Sequence, residues 1–299
     1  MRRKENPIIE GSNPLRRPLQ TAPLSGIKVV SIALNLPGPA ACFRLAEMGA
    51  SLAKIEPPTG DPLEGYCAPW YRALHAGAAM HRLDLKGDAG KLQAMALLGE
   101  ADLLVTAQRP SALARLGLDW PALHAKFPRL CQIAIVGHAA PGQDLAGHDL
   151  TYQAAAGLLS PPALPATLYA DMAGAERAVS AALALLVQRS VSNAGGFTEV
   201  ALAEAADWLA LPRKHGLTLP GAFIGGGYAG YNIYLAKQGW VAVAALEPHF
   251  AARLASALGF ATLATDTLAA RFLTESAEHW QAWALENDLP IVAVSDFPP

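Results

Sequence analysis

A strand–loop–helix–strand unit near the start of the chain constrains the fold more than any other feature. Residues 27–32 are apolar and rich in β-branched side chains, which is typical of a buried strand. Residues 37–39 (Pro-Gly-Pro) end it, and residues 40–49 carry apolar side chains at helical spacing up to Gly49. Residues 51–55 form a second strand. Such units build parallel sheets, because the helix carries the chain back to the end at which the first strand began.

The same alternation continues up to residue 140 and predicts an open, doubly wound α/β sheet. We expect helices over residues 90–99, 111–117 and 120–127, and strands over residues 101–105 and 130–136. A long alanine-rich helix is predicted over residues 171–189, followed by a strand and a helix over residues 198–211. Residues 212–230 are rich in glycine and are predicted to be largely loop. The later elements are a strand at 240–246, a helix ending near 259, a helix at 277–286 and a strand at 290–294.

The length and local composition predict two domains. The chain has 299 residues, enough for one large domain or two ordinary ones. The composition changes near residue 190, and we expect a large domain over residues 24–195, joined by residues 275–299, and a small domain over 196–274. Residues 1–23 are basic and proline-rich and lack the apolar core of a secretory signal, so we expect an arm lying on the surface or on a partner subunit.

The bulk properties exclude several classes of function. A net charge of -2 gives no reason to expect binding to nucleic acid or to an anionic membrane. No apolar run approaches the roughly 20 residues that span a bilayer. The 3 cysteines are widely spaced, which predicts free thiols in a cytoplasmic protein and neither a zinc site nor a disulfide framework. We therefore expect no metal site.

Three distant segments carry acid–base side chains between apolar neighbours. The first is the run from Gly147 to Tyr152, which holds His148 and Asp149; the others hold Asp171 and Glu247. This pattern is typical of a proton-transfer site that the fold assembles. Each residue also has a simpler interpretation. Asp171 could be a helix N-cap, His148 a surface or structural histidine, and Glu247 an ordinary turn residue before a proline.

An ordered set of short motifs resembles a known family over residues 24–299. The motifs are the opening strand at 24–30, Gly38-Pro39, residues 45–50, Gly60-Asp61-Pro62, residues 83–86, Arg109-Pro110, residues 116–118 and residues 128–130. With the acid–base residues in their places, the set resembles the class III CoA-transferase (CaiB/BaiF) family. Within it, the motifs are most similar to those of the α-methylacyl-CoA racemases.

The resemblance implies a Rossmann-like large domain with a parallel sheet and a smaller α+β domain, in an interlocked homodimer. The active site would lie between the large domain of one chain and the small domain of the other. The substrate would be an acyl-CoA, so coenzyme A enters as part of the substrate and no cofactor is tightly bound. Arg109 is the best candidate ligand for the CoA phosphates, with Arg115 and Lys54 as weaker candidates.

Two reactions are compatible with the resemblance. A racemase would remove and return the α-proton of a 2-methylacyl-CoA-like thioester, with His148 and Glu247 on one side and Asp171, supported by Asp149, on the other. Backbone N–H groups of the helix starting near Asp171 would stabilise the enolate. A transferase would instead use Asp171 as the nucleophile and form an aspartyl-CoA thioester. The presence of both His148 and Glu247 favours proton transfer.

Departures from the family pattern keep a third hypothesis open. Ala76, Ala78 and Ala79 stand around Gly77, where family members usually carry basic residues. The chain is also short, mainly between the helix ending near residue 211 and the strand at 240. A degenerate, non-catalytic member that binds CoA poorly would show these departures. Arg82 or the basic N-terminal arm would have to compensate for the lost charges in an active enzyme.

Overall fold

The structure is a computed structural model, and it describes residues 21–295. The chain forms two compact units with the division between Ala210 and Leu211. Residues up to Ala210 are called the large unit and those from Leu211 onward the small unit. Most of the predicted N-terminal arm lies outside the described residues. No helix within residues 21–295 is both long enough and apolar enough to cross a membrane.

A six-stranded parallel sheet organises the large unit, with the strand order β3-β2-β1-β4-β5-β6. Its strands are β1 (Lys28–Ser31), β2 (Ser51–Glu56), β3 (Ala79–Arg82), β4 (Leu103–Thr106), β5 (Cys131–Val136) and β6 (Phe197–Ala201). Val30 of β1 lies between Ala53 of β2 and Leu104 of β4. The order reverses between β1 and β4, the place where sheets of this kind bind ligands. The predicted parallel α/β sheet is confirmed.

Helices cover both faces of this sheet. They are α1 (Pro37–Glu47), α2 (Pro62–Tyr66), α3 (Ala68–Leu74), α4 (Asp88–Gly99), α5 (Pro110–Leu116), α6 (Trp120–Lys126), α7 (Asp149–Ala156), α8 (Tyr169–Ser192) and α9 (Leu202–Leu209). Successive strand residues point to opposite faces. Leu103 therefore joins the core beneath α1 and α8, whereas Leu104 joins the core beneath α4 to α6. Burial on both faces explains why β4 and β5 read as nearly continuous apolar runs, whereas β3 is mostly exposed and the sequence did not predict it.

The small unit is built on a three-stranded antiparallel sheet in the order β7-β8-β9. Its elements are α10 (Leu211–Lys214), a π-helical turn (Phe223–Gly227), β7 (Tyr231–Leu235), β8 (Trp240–Ala244), α11 (Pro248–Leu258), α12 (Thr265–Phe272), α13 (Ala277–Glu286) and β9 (Ile291–Ala293). Val241, Leu254, Leu268, Phe272 and Trp280 form the centre of its core. This mixture agrees with the expected smaller α+β region.

The division between the units differs from the one that the composition suggested. Residues 197–201 pair with β5 and so belong to the large sheet, and β9 pairs with β8 inside the small unit. Gly195 and Gly196 resemble a linker in the sequence. A Cβ atom at Gly195, however, would lie 2.0 Å from the carbonyl oxygen of Leu130. This glycine therefore permits a close backbone approach beside β5 instead of separating two domains.

A buried ion pair fastens the loops at the carboxyl end of the sheet. Nζ of Lys54 lies 2.9 Å from Oδ2 of Asp61, and both side chains are almost fully buried. Oδ1 of Asp61 accepts hydrogen bonds from the backbone N–H groups of Asn35 (2.9 Å) and Leu63 (3.0 Å). Lys54 also donates to the carbonyl oxygen of Ala33. The pair thus joins the end of β2 to the loop after β1 and to the start of α2.

We predict that Asp61→Ala destabilises the protein by about 3–5 kcal/mol, because it leaves the Lys54 ammonium buried and unpaired. Urea unfolding followed by circular dichroism measures the change. The double variant Lys54→Met/Asp61→Asn should regain most of the loss, since it removes both charges and keeps an oxygen that accepts the two backbone hydrogen bonds. A loss below about 0.5 kcal/mol in the single variant, the range usual for surface substitutions, would contradict this interpretation.

Candidate active site

A cavity of about 720 Å³ opens in the large unit at the carboxyl ends of β1, β4 and β5. Residues 34–37 after β1, residues 107–109 after β4 and Gly137 after β5 line it. The start of α7 and Asp171 of α8 complete its wall. The cavity therefore includes the point where the strand order reverses, the expected ligand site of an open parallel sheet.

The structure brings four of the predicted site residues to this one cavity. They are Arg109, His148, Asp149 and Asp171. Glu247 lies in the small unit, immediately before α11. Its pairing with His148 stays a prediction.

Asp149 is the group that positions α8. Its side chain is 5% exposed, and Oδ1 accepts hydrogen bonds from the backbone N–H groups of Ala170 (2.8 Å) and Asp171 (3.0 Å). Oδ2 accepts one from the side-chain amide of Gln153. The residue before α8 is Leu168, whose side chain cannot cap a helix. A carboxylate from α7 supplies the missing cap and places a negative charge at the positive end of α8.

Asp171 is the third residue of α8, and its carboxyl group is strongly perturbed. Burial and, secondarily, the charge of Asp149 raise its pKa from 3.8 to about 7. A carboxylate in the first turn of a helix is normally stabilised by free N–H groups. The N–H groups of Ala170 and Asp171 instead bond to Asp149. At neutral pH both protonation states of Asp171 are populated, which suits a general base or an activated nucleophile.

Two expectations about this region need correction. Asp171 is not a helix N-cap, because α8 begins at Tyr169. The start of this helix is expected to supply N–H donors for an enolate, but the N–H groups of Ala170 and Asp171 bond to Asp149. These two N–H groups are therefore not free to stabilise a developing oxyanion.

The backbone of His148 is fixed while its ring is left available. Its N–H group donates to Oγ1 of Thr151 (3.0 Å), and that hydroxyl donates to the carbonyl oxygen of His148 (2.7 Å). The residue is exposed at the cavity wall. The imidazole is thus available to a ligand in the cavity.

The predicted phosphate ligands have different surroundings. Arg109 is exposed and lines the main cavity. Arg115 is also exposed and lines a separate cavity of about 330 Å³ together with Lys86 and Lys91. Lys54 is unsuitable as a phosphate ligand, because its ammonium group is buried and paired with Asp61.

A buried polar cluster surrounds Lys54. Glu56, Asp61 and His75 offer ligand atoms within 4.8 Å of one another. The hydroxyl of Tyr71 donates to Oε1 of Glu56 (2.8 Å), and Nδ1 of His75 lies 2.8 Å from the carbonyl oxygen of Tyr71. Because Asp61 already binds Lys54 and two backbone N–H groups, we assign this cluster a structural role.

Sequence reasoning left two residues of the site without a role. Gln153 is fully buried and bonds Asp149, and Tyr152 is buried against the cavity. The spacing of Asp149 and Gln153 is i, i+4 on a helix, a signal that was available in the sequence. It was missed because no helix was predicted over residues 149–156.

We predict that Asp171→Asn stabilises the protein at pH 8 and has little effect near pH 4. The raised pKa means that the folded state binds a proton more tightly than the unfolded chain. Stability therefore falls as pH rises from about 4 through about 7. The difference in melting temperature between variant and parent should grow over that window. Asp88→Asn, in the exposed first turn of α4, is the matched control. A difference that does not change with pH would contradict the raised pKa.

The family model for CoA-transferase family III matches this chain over residues 24–296. The cinnamoyl-CoA:phenyllactate CoA-transferase of Clostridium sporogenes is 38% identical over 141 residues, which are 42% of this chain and 34% of the relative. The succinate–glutarate CoA-transferase of Agrobacterium fabrum is 31% identical over 208 residues, 62% of this chain and 52% of the relative. The chain thus spans about a third to a half of the length of these two relatives.

Solved structures agree on the fold. A CaiB/BaiF family protein from Brucella suis superposes with a TM-score of 0.78 at 22% identity, covering 93% of this chain and 85% of that one. A hypothetical protein from Mycobacterium tuberculosis gives 0.76 at 21% identity, covering 92% and 84%. The match over residues 24–296 exceeds half of the chain, and we conclude that it belongs to CoA-transferase family III.

Proposed function

We propose that this protein transfers coenzyme A between carboxylic acids, with Asp171 as the nucleophile. The observation that carries the proposal is the carboxyl group of Asp171, which lines the cavity at the sheet switch point and has a pKa of about 7. Relatives in the family are named as CoA-transferases for cinnamoyl-CoA, succinyl-CoA and formyl-CoA. These names shift the balance from proton transfer, which the sequence favoured, towards acyl transfer.

The proposed reaction consists of two acyl exchanges at one carboxylate. Asp171 attacks the thioester carbonyl, the C–S bond breaks, and CoA leaves as a thiolate from the mixed anhydride. The thiolate then attacks the Asp171 carbonyl, which releases the first acid and leaves an aspartyl-CoA thioester. The carboxylate of the acceptor acid then attacks the aspartyl-CoA thioester and displaces CoA as a thiolate. That thiolate attacks the acceptor's carbonyl in the new anhydride, which forms the acceptor's CoA ester and frees the Asp171 carboxylate. Electrons and protons balance without a redox partner.

The surrounding residues support this chemistry in different ways. The hydrogen bonds that Asp149 accepts from the first turn of α8 hold Asp171 in place. Burial and, secondarily, the charge of Asp149 raise the pKa of the nucleophile. A more basic carboxylate is the stronger nucleophile once it has lost its proton. Arg109 at the cavity would bind a CoA phosphate, and Arg115 with two neighbouring lysines offers a second cationic position.

Proton exchange at the α-carbon is the second candidate, because His148 lines the same cavity as Asp171. One group would remove the α-proton of a 2-methylacyl-CoA and the other would return it. Glu247 would orient the imidazole. In this candidate, as in the first, the interlocked homodimer implied by the family remains part of the proposal.

We predict that Asp171 becomes covalently modified during turnover. The enzyme is incubated with succinyl-CoA, formyl-CoA or cinnamoyl-CoA and quenched with hydroxylamine, and the peptide containing Asp171 is analysed by mass spectrometry. We expect a hydroxamate on Asp171, formed from the activated acyl group. Asp171→Asn should form none, whereas Asp144→Asn, an exposed aspartate of the loop before α7, should behave like the parent. Turnover without any Asp171 adduct would exclude this route.

The second candidate makes a separate prediction. A 2-methylacyl-CoA incubated with the enzyme in D2O should gain deuterium at the α-carbon, and His148→Ala should abolish that gain. Nuclear magnetic resonance of the recovered thioester measures it. Absence of exchange with several acyl-CoA substrates would reject α-proton chemistry. Absence of both exchange and Asp171 modification would favour the degenerate, non-catalytic hypothesis.

A further inference from the structure

The phenol of Tyr152 is buried at the cavity but has an unused hydroxyl group. The residue belongs to α7, is 3% exposed and lines the main cavity. Within the part of the chain that the structure describes, its hydroxyl makes no hydrogen bond. The hydroxyl oxygen itself is not fully buried, so it stays accessible from the cavity. The cavity is where a partner for this hydroxyl can enter.

Two glycines make room for the hydroxyl end of this ring. A Cβ atom at Gly137 would lie 2.3 Å from the phenol oxygen, and one at Gly147 would lie 2.6 Å from it. These glycines stand at the two ends of the loop between β5 and α7. The ring of His138 packs edge-on against the phenol with 5.2 Å between the ring centroids. The phenol oxygen therefore lies in a space that only glycine leaves open at these two positions.

The hydroxyl shares its surroundings with Asp171. Both residues line the cavity, and they interact electrostatically. Burial raises the pKa of the Tyr152 phenol, and the charge of Asp171 raises it further. Tyr152 therefore keeps its proton at neutral pH and acts as a hydrogen-bond donor.

We propose that the Tyr152 hydroxyl is a catalytic hydrogen-bond donor to the carbonyl oxygen of the bound thioester. This inference rests on the proposed function, in which that oxygen becomes an oxyanion when Asp171 attacks. The sequence suggests N–H groups at the start of α8 for this task, but those of Ala170 and Asp171 bond to Asp149. Tyr152 supplies a donor that is already fixed in position, as electrostatic stabilisation of an oxyanion requires.

Infrared spectroscopy tests the contact without turnover. Acetyl-CoA labelled with 13C at its carbonyl group is bound to Asp171→Asn and to Asp171→Asn/Tyr152→Phe. A hydrogen bond to the carbonyl lowers its stretching frequency. We expect a lowered frequency in the first variant and a return towards the free value in the second. Asp171→Asn/Tyr66→Phe is the matched control, since Tyr66 lines the same cavity with an exposed ring.

Kinetics and stability of the single variants complete the test. Tyr152→Phe should lower kcat by about 100-fold or more, with KM changed far less, because the bond strengthens in the transition state. Its melting temperature should stay close to that of the parent, because the hydroxyl makes no hydrogen bond within the described residues and the ring is kept. A lower melting temperature would reveal a structural hydrogen bond and overturn the inference.

Other outcomes also decide the question. An unchanged carbonyl band in the Tyr152→Phe background, kcat within twofold of the parent, or no binding of acetyl-CoA would each overturn the inference. Failure of the proposed function is distinguishable. If the carbonyl shift depends on Tyr152 while Asp171 is never modified, Tyr152 still binds the thioester oxygen and only the nucleophilic role of Asp171 fails.

Discussion

The site depends on the hydrogen bonds that the carboxylate of Asp149 accepts from the first turn of α8. They join α7 to the longest helix of the large unit and satisfy backbone groups that the local sequence leaves without a cap. They also withdraw the helix N-terminus from Asp171. Burial and, secondarily, the charge of Asp149 raise the pKa of this carboxyl group to about 7. Asp149 thus fixes the location of the proposed nucleophile and adds to the effect of burial on its reactivity.

The parallel sheet determines where this carboxyl group can act. The loops after β1, β4 and β5 begin at the carboxyl ends of these strands and enclose the cavity. The buried pair of Lys54 and Asp61 holds the first of these loops by binding Ala33 and Asn35. Sequence motifs that resemble ligand contacts can therefore serve the scaffold, and Lys54 is such a case. Its charge stabilises the loop that shapes the cavity.

The sequence predicted the buried, apolar strands of the parallel sheet, such as β4 and β5, but not β3, whose side chains are mostly exposed. It also predicted one site that holds His148, Asp149, Asp171 and Glu247, and the first three of these residues line one cavity. It did not predict α7. Asp149 and Gln153 are joined by a hydrogen bond on this helix, and such a bond leaves no hydrophobic periodicity in the sequence. It misplaced the unit boundary, because the glycine needed for close packing beside β5 is also typical of a linker. Contacts between distant backbone atoms leave little trace in local composition.

The most direct test of the central claim is whether an oxygen atom of the acceptor acid is transferred to the carboxylate of Asp171. The enzyme turns over an acyl-CoA with an acceptor acid whose carboxylate is labelled with 18O, and the peptide containing Asp171 is analysed by mass spectrometry. The mixed-anhydride route predicts that each complete turnover leaves one acceptor oxygen in the Asp171 carboxylate, while the peptide containing Asp144 stays unlabelled. Formation of the acceptor's CoA ester with no label on Asp171 would contradict the account.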